Sequence, residues 1–431
     1  MKQRLFCLAL AAALLTGCGA PASQSATEAT PDTAGSTSGR GAETVAAEST
    51  APAGLHVLRA GDEAGFYSAG SSLDAGLSRL NYVDYTTLTA APLCADPACT
   101  HDSDTCTACL PDGQTLYGVK IFNEDRLVIM AARSPDYWPV LYTAARDGSD
   151  RQLLYEGSAT AYLSVGDTML MGDGEYVYFC VTEEDPEDPA LSGGLYRVPV
   201  TGGEAQRLFT STNHTIIGVV DGGILCVFYD LTDSSGAGTR YLRLYSTDGS
   251  YTDLMEWTDA DPACSFGVDG DRILWMDESG AAGWLKPDGS SGQVSVDWPF
   301  TVGTGEGEKL VSLDSRMPVL DGQLMVNATG YDTDIVTDRY ALDPETGTLT
   351  PLPLSYMAGE LKRPLDLAAV VGDKVLCTFA VTYTPVSSVA EDGTTVEMEQ
   401  ACARIGLLSL ADFFAGNPNY EEITCAMPMA L

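Results

Sequence analysis

The sequence predicts an all-β protein, a seven-bladed β-propeller, with six blades as the alternative count. A short pattern of an apolar residue, an Asp- or Gly-containing turn and an apolar strand occurs seven times, with turn centres at 62, 124, 173, 222, 270, 322 and 372. After a first interval of 62 residues the period settles at 48 to 52. A second turn of similar chemistry follows within nearly every unit, so each unit holds two hairpins and four antiparallel strands. Four-stranded units in radial array hide their edges by repetition, which is the propeller solution. A pair of β-sandwiches would satisfy the hairpins too, but a regular period over more than 300 residues favours the ring.

At the amino terminus, Lys2 and Arg4 precede an apolar run from Leu5 to Leu15. This is a signal-peptide layout, and the run is well short of the roughly 20 residues that span a bilayer as a helix. Leu15-Thr16-Gly17-Cys18 resembles the bacterial lipobox, in which the last residue takes diacylglycerol before cleavage in front of it. The resemblance implies that residues 1–17 are removed and that Cys18 is the lipid-attachment site; an ordinary secretory signal with an incidental cysteine is the competing reading. Two acyl chains on one residue meet the requirement for stable anchoring to the membrane. Residues 18–53 are then a tether of Ser, Thr, Ala, Gly, Pro and Glu, too poor in apolar surface to offset the entropy of ordering. The working domain is 54–431.

With 60 acidic against 23 basic residues, the chain carries a formal charge of −37. That excludes nucleic acid and anionic membrane surfaces as partners by charge, since both recruit Lys and Arg. It is compatible with cations, or with nothing beyond the solubility of an exported protein.

The units can be followed in order. Asp62 precedes Gly65-Phe66-Tyr67; Asn123-Glu124-Asp125 precedes Leu127-Val128-Ile129; Asp173-Gly174 precedes Tyr176-Val177-Tyr178; Asp221-Gly222 precedes Ile224-Leu225. Asp269-Gly270 leads into Ile273-Leu274-Trp275, Asp321-Gly322 into Leu324-Met325-Val326, and Gly372-Asp373 into Val375-Leu376. Such turns supply positive φ at low cost between strands of Val, Ile, Leu and Tyr. The second hairpins are Asp147-Gly148-Ser149, Gly202-Gly203, Asp248-Gly249-Ser250, Asp288-Gly289-Ser290 and Glu345-Thr346-Gly347. This alternation resembles TolB-like bacterial propellers over roughly residues 55 to 426, as a likeness of pattern.

The long first interval holds an insertion, residues 93–110, with four cysteines in sixteen residues: Cys94, Cys99, Cys106 and Cys109, and with His101 between them. The segment resembles one near the start of bacterial surface lipoproteins with propeller-like repeats, in which Cys-x-x-Pro-x-Cys-x-His is followed by a further Cys and Ala. Cys94, Pro97, Cys99, His101, Cys106 and Ala108 match, and Cys109 is an addition. The resemblance implies an extracytoplasmic location and leaves the biochemical role open. Two chemistries fit the residues. Cys94, Cys99, His101 and Cys106 make a tetrahedral Cys3His set for structural Zn²⁺, with Cys109 spare or standing in for the histidine. Alternatively, four exported thiols, Cys109 among them, make two disulfides. Either is a staple rather than a catalyst.

Cys180, Cys226 and Cys377 fall in apolar strands and are expected as small buried hydrophobes. Cys264, Cys402 and Cys425 lie nearer strand edges, where a Cys402 to Cys425 bridge would help close the ring. His56, His101 and His214 form no metallopeptidase pair and no triad; a histidine enzyme would have to use His214. The glycine-rich stretch Gly303 to Lys309 lacks P-loop spacing. Asp-Gly turns offer oxygen ligands for Ca²⁺ but occur in any propeller. Asp136-Tyr137-Trp138-Pro139 is an aromatic loop suited to stacking on a ligand or to packing between blades, and Ser387 to Glu399 reads as an exposed acidic hairpin.

The function expected is a membrane-anchored extracytoplasmic module whose propeller binds a ligand or an envelope protein, or serves as a scaffold. The alternative is a carbohydrate-active lyase or glycosidase using carboxylates in the central channel.

Overall fold

The repeated turns become hairpins for stereochemical reasons. Asp221-Gly222 and Asp321-Gly322 have positive φ at both residues, 49° and 71° in the first and 50° and 71° in the second. That is the two-residue turn whose twist matches its flanking strands. Elsewhere the side chain makes the turn: Oδ1 of Asp62, Asn123 and Asp173 each accepts the backbone N–H groups two and three residues on. The three Asp-Gly-Ser turns are alike, each Asp Oδ1 accepting the Ser N–H at 2.9 Å and the Ser hydroxyl at 2.6 to 2.7 Å.

The computed structural model describes residues 54–425, apart from 72–77, 97, 104, 112, 135–136, 159–160, 163–168, 184–192, 211–213, 231–237, 299–308, 312–315, 332–334 and 390–394. The signal peptide, Cys18 and the tether lie outside the described residues, as do Pro97, Asp136 and the glycine-rich positions 303–308.

The strands form seven sheets in chain order, so the count is seven rather than six. Blade 1 is Gly65–Ser71, Ser78–Asp84 and Thr89–Pro92; blade 2 is Gln114–Ile121, Arg126–Arg133, Trp138–Ala145 and Gln152–Glu156. Blade 3 is built on Met171–Gly172, Tyr176–Glu183, Gly194–Pro199 and Gln206–Thr210, and blade 4 spans His214–Val220 to Tyr251–Thr258. Blade 5 spans Cys264–Asp269 to Ser291–Ser295, and blade 6 centres on Gln323–Tyr331 and Ile335–Leu342 with an extra hairpin, Ser355–Ala358 and Leu361–Pro364. Blade 7 is Asp366–Val371, Lys374–Val389, Thr395–Ser409 and Glu421–Glu422.

Six of the seven turns found in the sequence join the first and second strands of blades 2 to 7, and the Asp62 turn joins the N-terminal segment at Gly61 to Gly65–Ser71 of blade 1. Apolar side chains alternate out of both faces of these sheets, so each blade packs on two neighbours. The result is seven apolar cores, one per seam. Val128, Leu141, Val177 and Phe179 fill the seam between blades 2 and 3, and Leu225, Trp257, Phe266 and Trp275 fill that between 4 and 5. The seam between blades 7 and 1 holds Phe66, Val83, Leu376, Ile405 and Ile423. A pair of sandwiches would have two cores; a cyclic series that returns from blade 7 to blade 1 is a closed ring.

Both chain ends contribute to closure. Thr424–Cys425 runs parallel to Thr89–Pro92 on the outer edge of blade 1. At the inner edge, His56–Val57 pairs with Met171–Gly172 of blade 3, Arg59 bridges Ile121 of blade 2, and Gly61 bridges Phe66 of blade 1. Leu58 and Ala60, on this path, are fully or almost fully buried.

Two features depart from the sequence reading. The fold is not wholly β: Leu410–Ala415 is a short helix, capped by Ser409 Oγ accepting the Asp412 N–H and ended by Gly416 at φ 76°. The expected exposed hairpin exists but begins earlier, since its strands are 16 and 15 residues long against 6 to 9 for the second strands of blades 2 to 6.

Candidate metal centre at the seam of blades 1 and 2

The insertion leaves and returns to one strand of blade 1. Leu93 donates its N–H to Leu80 O at 2.8 Å; coming back, Ala108 O accepts from Leu80 N–H at 2.8 Å and Leu110 N–H reaches Ser78 O at 3.1 Å. Leu93 and Leu110 are buried in the core shared by blades 1 and 2, so sixteen residues are folded back between two fixed points. They close on themselves through tight turns. Asp96 Oδ1 accepts the Ala98 N–H at 2.9 Å, Cys106 N–H reaches Ser103 O at 3.1 Å, and Thr107 Oγ1 donates to Leu93 O at 3.1 Å. His101 adopts the left-handed region at φ 56°, uncommon for a residue with a Cβ and sustained here by its surroundings.

This path brings together Cys94, Cys99, His101 and Cys106, whose donor atoms all lie within 4.8 Å of one another. His101 Nδ1 is 3.3 Å from Cys106 Sγ, and His101 N–H donates to Cys99 Sγ at 3.4 Å. Tetrahedral zinc, with bonds of about 2.3 Å to sulfur and 2.0 Å to nitrogen, requires donor separations of about 3.5 to 3.8 Å. The cluster could therefore hold a metal with small adjustments of side chains. Among the described residues it is the one place where three or more His, Cys, Asp or Glu ligand atoms converge.

Cys109 is not in the set. Fully buried, it turns its Sγ to the His101 carbonyl at 3.4 Å, so it supports the loop that presents the histidine rather than replacing it. No disulfide is formed among the described cysteines.

The thiols are electrostatically unequal. Burial opposes the Cys94 thiolate, but hydrogen bonds at the Asp96 backbone and from Cys106, Thr107 and Cys99 prevail and hold the thiol below its ordinary value. The His101 N–H favours the Cys99 thiolate, yet burial and the adjoining Cys106 and Cys94 push it up to about 11. Burial raises Cys106. Three sulfurs this close cannot all carry charge without a cation among them.

The seam's other wall is blade 2. Its Asp147-Gly148-Ser149 hairpin abuts the insertion: a Cβ on Gly148 would stand 3.1 Å from Thr107 O. Beside it, Arg151 donates to Cys109 O at 2.8 Å and to Thr107 O at 2.5 Å.

The remaining sequence candidates are structural or scattered. Cys226 and Cys377 are fully buried as expected, whereas Cys180 is half-buried because its strand face is only partly covered. Tyr137 is 46% exposed, while Trp138 is half-buried with Nε1 donating to Glu156 at 3.3 Å. Several Asp side chains of the turns are committed to backbone N–H groups and Ser hydroxyls.

His214 packs between the rings of Phe209 and Phe228, its Nε2 2.7 Å from the Tyr245 hydroxyl. Burial, with Arg243 adding repulsion, lowers its pKa to about 4. The unfolded chain, with a histidine near 6.5, therefore binds the extra proton first. The contribution of neutral His214 is whole above pH 6.5 and falls away down to pH 4, by roughly 3 kcal/mol in all. In His214→Gln, melting temperature should fall less than in wild type between pH 7 and 4.5; an identical fall would contradict this assignment.

No family model and no curated protein matches the chain. Among solved structures, it is similar to the β-propeller domain of the trilobed protease from Pyrococcus furiosus, with 10% identity, a TM-score of 0.45, and 85% of this chain and 98% of that one covered. Puromycin hydrolase gives 14% identity and a TM-score of 0.44, covering 80% of this chain and 58% of its own length, so the chain spans little more than half of that enzyme. An uncharacterized protein from Listeria monocytogenes gives 10% identity and 0.40, over 78% and 91% of the two chains. No helix among the described residues is long and apolar enough to cross a membrane.

Proposed function

We propose that the protein is a lipid-anchored, extracytoplasmic module of a bacterial envelope, whose propeller binds an extracellular ligand or an envelope protein and is braced by one structural Zn²⁺. The observation that carries the anchoring is Leu15-Thr16-Gly17-Cys18 behind an apolar run, followed by a tether that ends where the ring begins. The binding role draws on the ring itself. Antiparallel order places the short first-to-second-strand turns of blades 2 to 7 on one face and the opposite ends of those strands on the other, where Tyr137 stands exposed.

Zinc is supported by the donor set, three sulfurs and one imidazole nitrogen. Four protein donors leave no open position for substrate, which makes the role structural. Two disulfides would have to enlist Cys109, whose sulfur is directed at the His101 carbonyl.

Anchoring is tested by fatty-acid labelling in cells. The wild-type chain should be found in the membrane fraction with label, and Cys18→Ser should carry none. An unlabelled, soluble wild-type protein would contradict the anchor.

A further inference from the structure

Arg151 is a half-buried cation for which no carboxylate among the described residues serves as partner. Its two terminal nitrogens are spent on the carbonyls of Thr107 and Cys109, and its Nε is buried without a hydrogen bond. Burying a guanidinium with only carbonyl dipoles around it is costly, and such a cation normally has an anion nearby. The carbonyls it holds bracket the turn that follows Cys106, so the guanidinium sits beside that turn from blade 2, near enough for Cys106 and Cys109 to act on its charge.

Three thiolates and a neutral imidazole around a divalent ion carry a net charge of −1, which one guanidinium balances. We propose that Arg151 is the counterion and clamp of the metal centre, so that occupation by a divalent, thiophilic cation and closure of the seam between blades 1 and 2 are coupled. This rests on the reading of Cys94, Cys99, His101 and Cys106 as a metal site, and it assigns Arg151 a positioning role, not a ligand's. The same coupling explains why the insertion is hung on blade 1 but clasped by blade 2: the ion stiffens the turn, and the turn presents two carbonyls at the spacing a planar guanidinium can bridge.

The experiment uses the full lipoprotein, extracted in detergent, with zinc affinity read by competition against a chromogenic chelator and melting recorded with and without zinc. Arg151→Gln should weaken zinc about ten- to a hundredfold, the range for outer-shell partners of metal ligands, and should narrow the melting gap between zinc-loaded and zinc-free protein. A merely structural arginine would lower both melting points equally and leave the gap unchanged. Arg151→Lys restores the charge and should recover most of the affinity. Should the Gln variant not fold, the Lys variant decides: a loss of less than about tenfold supports the counterion, and a larger loss overturns it. Wild-type protein that binds zinc while Arg151→Gln binds it equally well, with an unchanged gap, overturns this proposal and leaves the metal site standing. Wild-type protein that binds no zinc overturns both.

Discussion

Ending the chain after Tyr420 is expected to lower stability by roughly 4 kcal/mol or more and to make unfolding less cooperative. Of the residues removed, 421–425 join the last blade to the first. Glu421–Glu422 completes the outer edge of blade 7 opposite Gly406 and Leu407, Thr424–Cys425 lies along blade 1, and Ile423 between them is 3% exposed in the core of that seam. Ile423 also donates its N–H to Ile405 O at 2.9 Å, and Thr424 to Leu88 O at 2.9 Å. Loss of a buried isoleucine costs about 2 to 5 kcal/mol by itself. The Lys374–Glu421 and Arg404–Glu422 pairs are exposed and add little. Calorimetry on the truncated protein checks this; a melting temperature unchanged within a degree would mean that the N-terminal segment alone holds the ring.

Cys106→Ala is the second large effect. Of the four donors Cys106 is the buried one, and without it three donors cannot close a tetrahedron. Zinc should be lost, and with it the linkage stabilisation, about 4 kcal/mol where free zinc stands a thousandfold above its dissociation constant. Cys109→Ser provides the contrast. It removes an equally buried sulfur three residues on, but one that supports the His101 carbonyl, so bound zinc should persist. Melting with and without a chelator separates the two variants, and zinc loss from both would mean that the assignment of donors is wrong.

How far the sequence could be read depended on whether the determining contacts were local. Asp221-Gly222 and Asp62 specify their turns within four residues, through positive φ or an Oδ1 that accepts nearby N–H groups, so the blade period was legible. The donors Cys94, Cys99, His101 and Cys106 lie within thirteen residues and could be grouped by spacing. Arg151 could not: it reaches Cys109 across 42 positions, and nothing in its own neighbourhood of Gln152 and Asp150 marks it. The same holds for the Arg59 bridge to Ile121 of blade 2 and the pairing of His56–Val57 with Met171–Gly172 of blade 3, which depend on the ring already being formed. The helix Leu410–Ala415 did leave a signal, Ser409 ahead of Asp412 with Gly416 behind. It is one and a half turns long, too short for hydrophobic periodicity to show.

The claim on which most else depends is that the cysteine insertion is a metal centre. Elemental analysis of the purified protein, together with thiol titration in denaturant and X-ray absorption at the metal edge, tests it directly. The expected result is one zinc per chain in a shell of three sulfurs and one nitrogen, with Cys94, Cys99 and Cys106 recovered as thiols. No bound metal, and thiols of the Cys94 to Cys109 segment missing as disulfides, would contradict it.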